Sequence, residues 1–303
     1  MNYSHLIADL RADFPALTVR ENEPLARHCS FRIGGPAAVM LLPDSADGLA
    51  SVCRWLRDRG EAPFLLGNGT NLLFPDEGLD RIVVKTSPAV GSITVDGTRI
   101  AAEAGATLSR TASEALAAGL TGLEFAHGIP GSVGGGVVMN AGAYGGELKD
   151  AVVETEYLDA NMERHVLRGE EHDFAYRHSF FSVHEGIVLR TVFSLAPGDP
   201  AAIAARMREL ADRRRNSQPL EMPSAGSTFK RPVGGYAAAL IDEAGLKGFS
   251  VGGAQVSPKH AGFVVNTGSA ACADVLRLIE HIQKTVLARS GISLEPEVRI
   301  VRG

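Results

Sequence analysis

Residues 122–148 read GLEFAHGIPGSVGGGVVMNAGAYGGEL, and this stretch decides what kind of fold the chain adopts. It carries nine glycines, no lysine or arginine, and only Glu124 and Glu147 as acids. Clustered glycine lets a backbone approach something closely or turn tightly. Uncharged, glycine-rich backbone also presents many N–H groups, and arrays of these bind phosphate without help from a lysine. A second stretch of the same kind, LLGNGTNLL (65–73), lies about 60 residues earlier. Two such loops suit a pyrophosphate with a nucleoside at one end. Ordinary turns would explain the shorter loop, but the longer one is too extended and too biased in composition for that.

Around these loops the pattern alternates between short β-like runs and helices. Ser4 is expected to cap a short helix with Leu6, Ile7 and Leu10 inward, stopped by Pro15. Ser45 opens a second helix, with Leu49, Val52, Cys53 and Leu56 on one face and Gly60 closing it. AAVMLL, APFLL and RIVVKT read as strands, and GSITVDGTRIAAEAG (91–105) reads as a hairpin turning at Asp96-Gly97. A helix over 107–118 ends at Gly119, and strands follow at AVVETEYLD, ERHVLR and IVLRTVFSL.

PGDP (197–200) marks a boundary, where Asp199 caps a helix and Pro200 takes its first position. Beyond it come a helix near 237–244, a strand at GFVVN, and a long helix from about 273 to 289 ended by Gly291. The fold class expected is α+β. A larger domain occupies residues 1–197, with its core from about residue 28, and a smaller domain occupies 198–303.

Net charge is −5, which argues against a broad basic face for nucleic acid. An anionic ligand then needs a local cluster of Lys and Arg. Cys29, Cys53 and Cys272 lie far apart with no CxxC, which fits a reducing compartment and suggests no metal site. The opening MNYSHLIADLRADFP has charges within its apolar stretch, unlike a signal peptide, and no apolar run reaches 18 residues. A cytoplasmic protein without a membrane span is the expectation.

Three motif matches fail on context. GFSVG (248–252) fits G-x-S-x-G, but Gly253 and Pro258 leave no room for the helix a nucleophile elbow needs. Ser227-Thr-Phe-Lys230 fits S-x-x-K, but Pro232 stops any helix there, and S-D-N and K-T-G partners are absent. GNGTNLL has Leu72 where a dinucleotide fingerprint needs its third glycine. Nine histidines show no paired ligand spacing.

Eight segments occur in one order: FRIGGPA (31–37), LGNGTNLL (66–73), GIPGSVGG (128–135) with MNAGAYGGE (139–147), YRHSFF (176–181), PSAGSTFKRP (223–232), GLKGFSVGGAQVSPKHAGFVVN (245–266) and LEPEVRI (294–300). Together they closely resemble the UDP-N-acetylenolpyruvoylglucosamine reductases, flavoenzymes of peptidoglycan precursor synthesis, in their shorter subtype. The resemblance covers nearly the whole chain beyond residue 28. Arg231 departs from it, standing where many members carry Asn.

The resemblance implies an FAD-binding domain of the p-cresol methylhydroxylase/vanillyl-alcohol oxidase type, built from two subdomains, plus a C-terminal substrate domain. It implies noncovalent FAD, with His127 an ordinary loop side chain, and NADPH as reductant. Gly67, Asn68, Gly69, Thr70, Asn71, Gly128, Ile129, Pro130, Gly131, Ser132, Gly142 and Gly145 match its cofactor loops. Ser227 matches the proton donor to carbon, Arg177 the group that holds the substrate carboxylate, and Glu297 the third catalytic position. Tyr176, Lys230, Arg231 and Lys259 are expected at the UDP-sugar. No metal, nucleic acid or membrane partner is implied, and the enzyme is expected to be a monomer. An FAD oxidase of the same fold would need a base where this set offers a carbon acid. A binding module without catalysis would be expected to have lost the three catalytic positions.

Overall fold

The computed structural model describes residues 3–86 and 88–302. Helices and strands alternate, as the pattern predicts, and the chain divides into two compact units. Unit 1 comprises Met1–Glu21, Val39–Asn68 and Arg81–Arg213; unit 2 comprises Asn22–Ala38, Gly69–Asp80 and Arg214–Gly303. The sequence suggested one division near residue 197. The structure instead adds residues 22–38 and 69–80 to the C-terminal segment and leaves most of helix Pro200–Ser217 in unit 1. Main-chain bonding accounts for the first difference: the N–H groups of Arg299 and Val301 donate to the carbonyls of Asn71 and Leu73 at 3.0 and 2.9 Å.

Unit 1 contains an antiparallel sheet of five strands, ordered Arg164–Arg168, Val152–Leu158, Ile187–Ser194, Arg99–Glu103 and Ile93–Asp96. Its core joins Ile100, Ala102, Val152, Val188 and Phe193 of the sheet to Leu108, Ala112, Val133, Val137, Ile203 and Met207 of three helices. Local signals set the element ends. Ser45 accepts from the Gly48 N–H at 3.1 Å, Thr107 accepts from Arg110 at 3.2 Å, and Asp199 accepts from Ala201 at 3.0 Å. Two expectations shift slightly. Ser4 is the first helical residue and Tyr3 the cap, without a side-chain cap bond, because tyrosine lacks the short side-chain oxygen that accepts from the first turn. Asp96 pairs with Arg99, so the hairpin turns on Gly97-Thr98, where glycine takes φ of +56°.

A parallel pair, Phe64–Leu66 beside Leu79–Lys85, belongs to the four-stranded sheet of order Thr18–Pro24, Pro36–Leu42, Leu79–Lys85, Phe64–Leu66. The glycine loop at 67 leaves the end of its shortest strand.

Unit 2 carries a three-stranded meander, Ser250–Val251, Ala254–Val256 and Val264–Asn266, packed on the long helix Cys272–Ser290. Val275, Leu278, Ile279, Ile282 and Val286 form that helix's buried face. GFSVG is the hairpin of this meander, with Gly252 at φ of +53°, and no helix follows it. No described helix is long and apolar enough to cross a membrane.

Candidate active site

In unit 1 the two glycine loops meet. The Asn68 side-chain amide donates to the Pro130 carbonyl at 2.7 Å. A Cβ placed on Gly67 would lie 2.4 Å from the side-chain Oγ of Ser132, so a side chain here requires that hydroxyl to give way. The loop over 128–132 is held from behind: the Leu108 N–H donates to the Gly131 carbonyl at 3.0 Å, and the Val133 N–H to the Ala106 carbonyl at 2.8 Å. Buried Ser132 then caps the short helix Val133–Met139. The result is a cradle of small, uncharged groups and backbone amides. Its chemistry fits a dinucleotide pyrophosphate, which Gly67, Asn68 and residues 128–132 could hold.

The remaining loop positions separate. Gly142 pairs with Glu147 in a small hairpin whose turn is Tyr144 and Gly145, both left-handed, at φ of +55° and +88°. Gly145 is therefore accounted for by that turn. Gly69, Thr70 and Asn71 lie in unit 2. Gly69 needs its φ of +62° and its missing side chain, because a Cβ there would fall 2.3 Å from the His28 carbonyl oxygen.

YRHS forms a tight turn in unit 1, with Ala175 and His178 bridged and Tyr176 and Arg177 at its tip. Arg177 has φ of +54°, a left-handed conformation that costs a side chain-bearing residue roughly 1–2 kcal/mol. Its guanidinium carbon sits 5.0 Å from the centroid of the half-exposed Tyr176 ring. Strain of this kind persists only where the surroundings hold it. Here Asn140 and Ser179, which sequence reasoning missed, do the holding. Asn140 is fully buried and left-handed at the end of helix Val133–Met139, and its amide donates to the Ala175 carbonyl and to Glu147, both at 2.9 Å. Buried Ser179 donates to the Val138 carbonyl at 2.9 Å. An asparagine directly after a short helical run was the one available sign.

In unit 2, PSAGSTFKRP and LEPEVRI lie side by side. Phe229 bridges Pro296, the Lys230 N–H donates to the Glu295 carbonyl at 2.9 Å, and the Glu297 N–H donates to the Thr228 carbonyl at 2.8 Å. Exposed Ser227, after left-handed Gly226, and half-buried Glu297 are thus carried on adjoining, paired segments. Buried Thr228 fixes the loop further: its N–H donates to the Gly262 carbonyl at 2.8 Å and its hydroxyl accepts from the Val264 N–H at 3.0 Å. The Asn71 amide donates to the Glu297 carbonyl at 3.1 Å. FRIGG joins the same framework, since Ser30 donates to the Ser224 carbonyl at 2.6 Å and Asn266 to the Phe31 carbonyl at 3.1 Å.

The cations expected at the substrate are occupied within the chain. Lys230 pairs with Glu295 at 2.5 Å, Lys259 donates to the Arg215 carbonyl at 2.7 Å, and exposed Arg231 lies 4.2 Å from the centroid of the Tyr236 ring. The S-x-x-K segment is extended and bridged, which is inconsistent with a helix-borne acylation site.

Residues 36–191 match an FAD binding domain, and residues 218–301 match the C-terminal domain of UDP-N-acetylenolpyruvoylglucosamine reductase. A UDP-N-acetylenolpyruvoylglucosamine reductase from Caldanaerobacter subterraneus is 53% identical over 92% of each chain. One from Pediococcus pentosaceus is 46% identical over 95% of this chain and 96% of its own. The crystal structure of the enzyme from Thermus caldophilus superposes with a TM-score of 0.80 at 35% identity, covering 94% of this chain and 99% of that one. With the paired glycine loops in unit 1 and the joined serine and glutamate segments in unit 2, these likenesses lead to one conclusion: the chain belongs to the UDP-N-acetylenolpyruvoylglucosamine reductase family of FAD-dependent oxidoreductases.

Proposed function

We propose that Ser227, Arg177 and Glu297 carry the proton and charge chemistry of this enzyme, which reduces UDP-N-acetylenolpyruvoylglucosamine to UDP-N-acetylmuramate in peptidoglycan precursor synthesis, using NADPH. FAD, when bound, would supply the hydride chemistry, passing a hydride from NADPH to one carbon of the enolpyruvyl alkene. That transfer puts negative charge on the neighbouring carbon, delocalised into the substrate carboxylate. The Arg177 guanidinium is planar and permanently charged, suited to hold that carboxylate as its charge grows. The Ser227 hydroxyl gives its proton to the carbon and recovers one from solvent, to which its loop is exposed. A hydroxyl is a weak acid in water, but a positioned one needs only to meet a strongly basic carbon. Glu297 acts in its protonated form, as a donor to the developing oxygen charge, because a carboxylate would repel it.

One observation carries the reading: the Glu297 N–H bonds the carbonyl next to Ser227, so the two groups are positioned by one main-chain pairing. Tyr176, Lys230, Arg231 and Lys259 contact the UDP-sugar. Lys230 and Lys259 are partly exposed, and their present partners leave them able to turn to a diphosphate. Gly67, Asn68 and residues 128–132 hold the FAD pyrophosphate, with Gly69, Thr70, Asn71, Gly142 and Gly145 shaping the loops on either side. Residues 1–197 serve FAD and reach the substrate only through Tyr176 and Arg177, while 198–303 serve the substrate, a reading supported by matches at 36–191 and 218–301. The enzyme works as a cytoplasmic monomer, a setting consistent with three buried cysteines.

Stopped-flow absorbance of Ser227→Ala tests the role of this serine. Reduction of the flavin by NADPH should match wild type. Reoxidation by the enolpyruvyl sugar should fall roughly 10²–10⁴-fold, the usual cost of losing a positioned acid. Reoxidation at the wild-type rate would make Ser227 a turn residue.

A further inference from the structure

The turn that presents Arg177 is tied to the glycine loops by one short helix. Val133–Met139 starts at Ser132, within the loop that meets Gly67, and ends at Asn140. Seven residues at 1.5 Å each make it a spacer of about 10 Å. At its far end two groups grip the YRHS turn, one on each side of Tyr176 and Arg177. The Asn140 amide donates to the Ala175 carbonyl at 2.9 Å, and the Val138 carbonyl accepts from Ser179 at 2.9 Å. Asn140 uses both its N–H donors and its oxygen here, with its second N–H on Glu147 at 2.9 Å and its oxygen accepting from the Lys149 N–H at 3.0 Å. It bonds three residues on two other segments and is fully buried. The residue it steadies, Arg177, sits in a conformation it would leave if released.

We infer that Asn140 is a positioning residue for Arg177: its side chain holds the 175–178 turn at a fixed distance from the flavin loop and keeps the guanidinium aimed at the substrate carboxylate. This rests on the proposed role of Arg177. Helix 133–139 then transmits the placement of one functional loop to the other, and an error of about 1 Å in the guanidinium is enough to cost roughly 10²-fold.

Asn140→Gly is the cleanest variant, because glycine adopts the left-handed conformation freely and only the side-chain bonds are lost. Its FAD dissociation constant and its rate of flavin reduction by NADPH should stay within about 3-fold of wild type. Reoxidation by the enolpyruvyl sugar should slow by about 10–100-fold. Arg177→Ala is measured beside it, together with the double variant. If the two residues act as a unit, the double variant is no slower than Arg177→Ala alone, within about 3-fold. Multiplying effects, or a wild-type reoxidation rate in Asn140→Gly, would overturn the proposal. An Arg177→Ala enzyme that reoxidises normally would instead refute the role of Arg177. Should Asn140→Gly fail to fold or to hold FAD, Ser179→Ala decides: slower reoxidation with unchanged flavin reduction supports the two-sided grip, and an unchanged rate removes it.

Discussion

The turn bearing Arg177 and the loop bearing Ser227 solve one problem by different means. Arg177 is held by side chains, through buried Asn140 and Ser179 reaching carbonyls on either flank. Ser227 is held mainly by main chain, its neighbours Thr228, Phe229 and Lys230 paired with 295–297 through backbone groups, with the Thr228 hydroxyl and the Asn71 amide adding one bond each. Side-chain support is specific and fragile, since one substitution removes it. Main-chain support survives substitution of the bonded residues and yields only when the segments are prevented from meeting. The proposed flavin cradle in unit 1 combines the two: the Asn68 amide reaches the Pro130 carbonyl, while the closeness of the loops depends on what Gly67 lacks.

That gives the largest expected effect. Gly67→Asp should purify without flavin, because its Cβ would collide with Ser132 Oγ and its carboxylate would oppose a pyrophosphate. Gly67→Ala carries the collision without the charge, and adding Ser132→Ala removes the colliding oxygen. The double variant should regain yellow colour on titration with FAD, while Gly67→Asp with Ser132→Ala should not. Colour retained in Gly67→Asp would mean this cradle does not hold the pyrophosphate.

The same contrast governs what could be read from the sequence. Ser45, Thr107, Asp199, Gly119 and Gly291 announce the element ends they make, because caps and left-handed termini are local and residue-specific. The two glycine loops were legible for a similar reason, since a position that cannot tolerate a Cβ writes its constraint into the chain. The joining of 69–73 to 299–301 was not legible. Backbone N–H to carbonyl bonds leave no side-chain signature, so nothing around Leu72 points to Arg299. A single boundary near 197 therefore looked sufficient, and the discontinuous second unit was invisible. Asn140 stood in a motif already noticed, but its partner Ala175 is 35 residues away and is met through a carbonyl.

Asn71 separates the two modes of support at one residue and should have an intermediate effect. It lies in a glycine loop expected to serve FAD, yet its amide donates to the Glu297 carbonyl. Asn71→Ala removes that bond and leaves the main-chain tie from Arg299 intact. Loss of one side-chain bond of about 1 kcal/mol corresponds to a roughly 5-fold change. We expect flavin reoxidation by substrate to slow about 3- to 10-fold, with the FAD dissociation constant unchanged within about 2-fold. A weakened FAD affinity with normal reoxidation would return Asn71 to the cofactor.

The smallest effect is expected at a side-chain support of unit 2 that lies outside the paired 227–230 and 295–297 segments. Asp274, in the first turn of the long helix, accepts from the main-chain N–H groups of Ala271 and Gly253 at 3.1 Å and from Arg277 at 2.7 Å. Those bonds, with the Ala271 N–H foremost, hold its carboxyl below the ordinary value of 3.8. Because the folded-state pKa is depressed, the stability this group contributes is complete above 3.8 and disappears as pH falls through the lower folded value. Asp274→Asn keeps an acceptor oxygen and loses the charge. The urea midpoint of the variant should therefore lie slightly below wild type at pH 7, and the two should converge as the pH is taken below about 4. Arg277 is exposed, so salt screens its share, while the two main-chain bonds are less affected. In 0.5 M salt at pH 7 part of the gap should close and part remain. A gap abolished by salt would assign the turn at 252–253 to the ion pair. A gap that persists unchanged at low pH would show that the charge of Asp274 contributes nothing, leaving the geometry of its two main-chain bonds to hold the turn.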